Sequence, residues 1–359
     1  MWKNVDALLL RGIAEDAFPG CAVAVGQRQR VFYQGIYGQL APGSPVGVTS
    51  STCYDVGRLT QVMATVPLTL IAVERGMICL DDPITLWLDN VPADKKGITL
   101  YHLLTHTSGL AAPFLLPEET ESGGDALQTL LRHPLAGAPG SKVRVSAMGY
   151  ILLGFLLERL FQMPLDKAVR RYVTAPLGMS RTGYLPAGVN VAPASAHSES
   201  EEWQAGQPQD GNARFLHGVA GHAGLFTCLD DAVRFAAMLA SGGRSANGVF
   251  LSERALHLAI TDRTRGLNEA RGYGFGITRR SDPFLGNLWP SGSFGVRDGL
   301  SGSLMAVSPE DGFFVTLLAN GFTSPRERLE MERLQKLLLN AAYAAFQHEA
   351  PGGEPGKEF

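Results

Sequence analysis

Tyr54-Asp55-Val56-Gly57-Arg58-Leu59-Thr60-Gln61 runs into an apolar stretch, Leu59–Glu74, that carries no charge before its last residue. A helix apolar on most faces is a buried one. The stretch therefore predicts a central helix, ended by Gly76, with Pro67 kinking it or marking its first turns. Upstream, Val5, Leu8, Leu9, Gly12 and Ile13 recur at helical spacing behind Asn4, a residue suited to an N-cap, and Pro19-Gly20 closes that helix. Cys21–Val25 and Val31–Ile36 are strand-like runs around a polar turn, which reads as a hairpin. Downstream, short helices are predicted at Leu100–Leu104, Asp125–Leu131 and Lys167–Val173, and an apolar helix capped by Ser146 runs to about Leu160. Pro186–Gly211 is polar and irregular.

Beyond residue 230 the pattern changes. Asp230–Leu239 and Ser252–Ile260 predict helices, Tyr273–Ile277, Leu304–Val307 and Phe313–Leu318 predict strands, and Pro325–Phe346 predicts a long closing helix. Neither end of the chain has enough strands for a stable sheet, so the two ends must share one. Val31–Ile36 is expected to pair with a strand of the last third. The fold class is thus α+β: an antiparallel sheet flanked by helices, plus an all-helical region. Residues 1–57 and 230–346 are assigned to the mixed region, 58–229 to the mainly helical region with loops, and 347–359 to a disordered tail.

Composition narrows the function. Over 359 residues the net charge is −3, which supplies no field for nucleic acid. No apolar run is long enough for a membrane span. The start, Met1-Trp2-Lys3-Asn4-Val5-Asp6, lacks the pattern of a secretory signal, so a cytoplasmic location is expected unless a leader has been removed. Cys21, Cys53, Cys79 and Cys228 form no C-x-x-C pair and read as free thiols. His102 and His106 lack the glutamate of an H-E-x-x-H motif, so neither a metal nor a cofactor is expected.

Five stretches in order carry a family resemblance: Tyr54–Gln61, Leu80-Asp81-Asp82-Pro83, Leu103-Leu104-Thr105-His106-Thr107-Ser108-Gly109-Leu110, Pro176-Leu177-Gly178-Met179, and Gly218-Val219-Ala220-Gly221-His222-Ala223-Gly224-Leu225-Phe226. Together they resemble the serine β-lactamase-like family of class C β-lactamases, DD-peptidases and esterases, over about residues 5–346. The resemblance implies a Ser nucleophile and a Lys one turn on in S-x-x-K, a Tyr that shares proton traffic, and a K-T-G or H-T-G strand motif that holds a substrate carboxylate. It also implies an oxyanion hole made by backbone N–H groups at the Ser and just past the strand glycine.

At each of these motifs the sequence departs. Arg58 stands at the Ser position and Gln61 at the Lys position, while Asp55 and Thr60 keep the register. Val145-Ser146-Ala147 replaces the Tyr-Ser-Asn type motif ahead of an intact Gly149-Tyr150-Ile151-Leu152-Leu153-Gly154. Arg297-Asp298-Gly299 is the best match to the strand motif, with one extra residue blurring its register. Arginine stays protonated and cannot attack a carbonyl. Gln61 has no basic nitrogen, and Val145 cannot relay a proton. Ser50, Ser51, Ser146, Ser301 and Ser303 have no Lys three residues on, and the chain contains no G-x-S-x-G.

The expected reading is a pseudoenzyme on a hydrolase fold. The alternatives are an active hydrolase with a rearranged site, or a structural or interaction protein with a closed cleft. A helix start disfavours a cation, so Arg58 calls for a compensating acid, and Asp298 is the nearest by motif. Arg58, Arg297, Ser146, Leu300, Ser301 and His222 are the candidate ligand-binding residues. The occupant would be a small carboxylate or peptide-like ligand, or a protein partner.

Overall fold

The computed structural model describes residues 2–120, 126–186, 188, 190–193, 205–320 and 325–349, without the side chains of 325–328 and 349. Helix α1 (Lys3–Ala14) opens the chain, but Asn4 lies inside it and Trp2 holds the N-cap position without a side-chain bond. The hairpin follows as β1 (Gly20–Gln27) and β2 (Arg30–Gly38). Strand β3 (Tyr54–Asp55) leads to the buried helix, which begins as a π-type turn, Gln61–Thr65, and continues as α2 (Val66–Glu74). Pro67 explains the widening. It has no N–H to give the carbonyl four residues back, and Val66 N instead donates to the carbonyl of Gln61, five residues back.

The middle of the chain folds as α3 (Leu100–Leu104), α4 (Leu116–Glu119), α5 (Ala126–Arg132), α6 (Ala147–Phe161) and α7 (Leu165–Val169), then β4 (Gly183–Tyr184), α8 (Gly211–Phe215) and β5 (Leu225–Thr227). Ser146 caps α6, its Oγ accepting from Met148 N. Strands β3, β5 and β4 form a small antiparallel sheet that the sequence reading lacked. The last third gives α9 (Leu229–Ala240), the short hairpin β6 (Arg244–Ser245) and β7 (Gly248–Val249), α10 (Glu253–Ile260), β8 (Gly276–Ile277), β9 (Phe294–Arg297), β10 (Leu304–Ser308), β11 (Phe313–Ala319) and α11 (Pro325–Glu349). The strand expected at 273–277 shrinks to its last two residues, and β9 is an addition. Helix α11 takes in 347–349, where a tail was expected; 350–359 lie outside the described residues, as do Asp125 and much of 186–211.

The main sheet is six-stranded, in the order β2-β1-β11-β10-β9-β8. Its two halves join where β1 pairs antiparallel with β11, from Cys21↔Ala319 to Gln27↔Phe313. The direct pairing expected of Val31–Ile36 with the last third does not occur. Among the described residues strand β2 is the sheet edge and pairs with β1 alone, and β1, buried at all but its last residue, makes the junction.

Alternation along each strand sorts side chains onto two faces. Cys21, Val23, Val25, Leu304 and Leu317 pack with Val5 and Leu9 of α1 and Leu338 of α11. Ala22, Ala24, Met305, Phe294, Val296 and Phe314 pack with Met63, Leu152 and Phe235 on the helical side. Full burial of one such side chain contributes about 1.5–3 kcal/mol, so the two layers clamp the sheet firmly. No helix among the described residues is long and apolar enough to cross a membrane.

Candidate active site

The small sheet aims β3 at the start of the buried helix. Gly57 follows with φ +50°, a conformation that strains any residue with a Cβ. It also lies hard against the Asp298 carboxyl, which a Cβ at Gly57 would meet at 2.5 Å. Asp298 arrives from the other direction, just past the end of β9. It is almost fully buried. Its Oδ1 accepts from Arg58 N at 3.0 Å, and its Oδ2 accepts from Leu300 N at 3.0 Å and Ser301 N at 2.6 Å. The Arg58 guanidinium stands 3.9 Å from the same carboxylate, with its side chain about a third exposed. The acid that Arg58 called for is therefore present. It acts chiefly through backbone N–H groups, and only loosely through the side-chain ion pair.

Gln61 lies one turn on and is buried. Its Oε1 is 3.2 Å from His106 Nε2. His106 Nδ1 accepts from Ser146 N at 3.4 Å, which places the imidazole proton on Nε2, donating to Gln61. Burial holds His106 well below its usual basicity, helped by the charges of Arg271 and Arg58. The neutral ring thus satisfies Gln61, and neither group is left to take a proton. Arg58, Gln61, Val145, Ala147, His222, Asp298, Gly299, Leu300 and Ser301 line one cleft of about 160 Å³.

Asp55, Gln209 and Asp210 also line the cleft. Asp55 is buried, accepting from Gly57 N at 3.0 Å and Gln209 N at 2.7 Å. Burial, with the nearby charges of Asp298 and Asp210, pushes its carboxyl up to about 7 against those hydrogen bonds. Asp210 caps α8 through Ala213 N and lies 2.8 Å from His222 Nε2. Burial alone would raise the Asp210 carboxyl, but His222 and the N–H groups of Ala213 and Asn212 hold it down to about 2. His222 is itself buried, and its Nδ1 has no partner among the described residues. Among the described residues, no three His, Cys, Asp or Glu side chains are grouped to hold a metal ion.

Residues 5–340 match the model of the Beta-lactamase family. The chain belongs to that family. A protein of Escherichia coli O157:H7 named "Putative D-alanyl-D-alanine carboxypeptidase" is 26% identical over 352 residues, covering 86% of this chain and 80% of its own. EstCE1, described as a hydrolase with promiscuous acyltransferase activity, superposes with a TM-score of 0.77 at 21% identity over 95% of this chain and 98% of its own. The octameric penicillin-binding protein homologue from Pyrococcus abyssi gives 0.72 at 21% identity, over 94% of this chain and 77% of its own.

Against this β-lactamase-family frame, two expected site residues fall elsewhere. Arg297 does not line the cleft. It pairs across the sheet with Leu304, on the face that α1 and α11 cover. Its guanidinium stacks over Phe284 at 4.7 Å and its Nη1 donates to the Glu332 carbonyl at 3.4 Å. Ser146 is spent on structure: its Oγ caps α6 and donates to the Ala111 carbonyl at 2.5 Å. Asp55 served the sequence reading only as a register marker, and Gln209 and Asp210 went unnoticed. A local signal for Asp210 exists, because Asp210-Gly211-Asn212 is a plausible helix start. Nothing local announces that it faces His222.

Proposed function

We propose that this β-lactamase-family chain is a pseudoenzyme: it keeps the scaffold and has lost acyl transfer. The observation that carries the reading is the placement of the Asp298 carboxylate. The family resemblance puts the oxyanion hole at the N–H of residue 58 and at the N–H just past Gly299. Asp298 accepts from both Arg58 N and Leu300 N, and from Ser301 N as well. An oxyanion hole works by offering preorganised donors to charge that develops in the transition state. Here a fixed negative charge already takes those donors. Loss of the nucleophile, the base and the proton relay at Arg58, Gln61 and Val145 points the same way.

The same geometry disfavours retention of an acidic, cell-wall-peptide-like ligand. The cation meant to hold its carboxylate, Arg297, faces away, and Asp55, Asp210 and Asp298 surround the cleft with carboxyl groups. An internally closed cleft is the reading we adopt. Incubation with a fluorescent penicillin and with a fluorophosphonate probe tests the loss of acyl transfer. No covalent adduct is expected at any concentration that labels a β-lactamase-family control. An adduct mapped to Ser146 or Ser301 would establish instead an active hydrolase with a rearranged site.

A further inference from the structure

Cys53 and Cys228 lie in one buried cluster at the end of the small sheet. The β3–β5 register runs Tyr54↔Thr227 and Asp55↔Phe226; continued one residue past the end of the ladder, where the Cys228 backbone is still extended, it sets Cys53 opposite Cys228. The hydrogen-bonding pattern says which kind of rung this is. Val56 N donates to Leu225 O, so the rungs alternate from there. Cys53 turns its backbone the other way, its N–H to Asn190 O and its carbonyl to Ala192 N. The Cys53/Cys228 rung is therefore of the non-hydrogen-bonded type, where Cα atoms lie about 4.5 Å apart and side chains approach most closely. That separation lies within the range a disulfide spans. Both thiols are free, and they share one buried cluster with Val191 and Phe226. Only Cys53 also borders an open cavity of about 860 Å³, alongside Arg181 and Asn190.

We propose that Cys53 and Cys228 are a redox-modifiable pair that closes as a cross-strand disulfide by exchange with a low-molecular-weight disulfide. The Cys53 thiolate attacks one sulfur of the small disulfide from the cavity, forming a mixed disulfide and releasing one thiolate. Deprotonated Cys228 then attacks the Cys53 sulfur and expels the second small thiolate. The protein gives up two electrons and two protons, and the small disulfide becomes two thiols. Cys53 is the entry point because Cys228 has no exposed surface. Burial raises both thiols, Cys228 to about 11, and the thiolate is the attacking species. The exchange is accordingly slow near neutrality and accelerates about tenfold per pH unit. Once closed, the bond ties β3, which leads to Arg58, to the strand that follows His222.

The test uses the full chain carrying Cys79→Ser, which removes the exposed thiol, incubated with oxidised glutathione at pH 8.5 and mapped by mass spectrometry. The expected product is a linked peptide pair containing Cys53 and Cys228, lighter by two hydrogens, with a raised Tm. With Cys228→Ser added, glutathione stays on Cys53; with Cys53→Ser added, Cys228 stays reduced. The proposal is overturned if both thiols remain reduced in the folded chain while the urea-unfolded chain oxidises. It is equally overturned if the link engages Cys21, or if glutathione accumulates on Cys53 with Cys228 intact.

Discussion

Replacing Asp298 by alanine should open a binding site for an external anion. The residue is 3% exposed and its carboxylate accepts three backbone N–H bonds, at 3.0, 3.0 and 2.6 Å. Hydrogen bonds to a charged acceptor contribute about 1.5–3 kcal/mol each, and the donors left behind are partly buried. The three do not add in full, because water enters the vacated space, so a loss of about 3–5 kcal/mol is expected, as for breaking a buried charged contact. Unfolding entropy near 2.1 cal/mol/K per residue then converts that loss, for 359 residues, into a fall in Tm of about 4–7 °C.

The informative step is the rescue. A small carboxylate such as acetate can re-enter the three-donor nest, and an anion at ten times its Kd stabilises by about 1.4 kcal/mol. In a thermal melt at constant ionic strength, acetate replacing chloride should raise the Tm of Asp298→Ala by about 2 °C and leave the parent unmoved. Asp298→Asn, which keeps an acceptor, should fall between them. An Asp298→Ala protein as stable as the parent would refute the reasoning, as would equal acetate responses in both proteins.

Asp55 makes a pH prediction. Its carboxyl is raised, so the folded protein favours the protonated form, and the stability it lends is full below pH 3.8 and lost as pH rises through about 7. A move of that size is worth about 4 kcal/mol at most. Denaturant melts should show stability falling between pH 4 and 7, and Asp55→Asn should flatten that slope; an unchanged slope would assign it to other groups. Gly57→Ala should cost more than about 2 kcal/mol, from φ +50° and the clash with Asp298, and combining it with Asp298→Ala should cost less than the two losses together. Arg58→Ser with Gln61→Lys should give no nitrocefin hydrolysis while Asp298 fills the nest. Adding Val145→Tyr, Ala147→Asn and Asp298→Ala should be required, and turnover by the double variant alone would contradict the plug. Arg297→Ala should lower Tm by lost packing on Phe284, yet leave the acetate response of Asp298→Ala unchanged.

Much of the fold was legible because its signals are local. The uncharged run after Arg58 reads as a buried helix, the hairpin shows as two strand-like runs around a polar turn, and Ser146 and Ser252 cap the helices they precede. The irregular features were hidden because tertiary contacts make them. Strand β8 keeps two residues and β3, β4 and β5 are two or three long, too short for any periodicity to show. The pairing of Asp210 with His222 joins residues twelve apart across α8 and the turn after it, beside Gln209, whose N–H donates to the distant Asp55.

The misplacement of Arg297 is more instructive, because its correction was available in the sequence. Phe294-Gly295-Val296-Arg297-Asp298 alternates large apolar residues with others at period two. In a strand, Phe294 and Val296 must share one face, and a shift of one residue sends every side chain to the opposite side. Reading the segment as a strand places Arg297 with Gly295, away from the helical core, and continues the Phe294–Val296 face into Asp298. The motif match aligned the cation with the family's cation and missed this parity. Once β9 pairs with β10 through Leu304↔Arg297, the arginine is committed to the layer under α11. The next side chain able to reach Arg58 N is then the aspartate. Strand parity thus turns the Arg297 cation, which the family resemblance assigns to a substrate carboxylate, away from the cleft, and presents to it instead a carboxylate that takes the N–H groups of Arg58, Leu300 and Ser301.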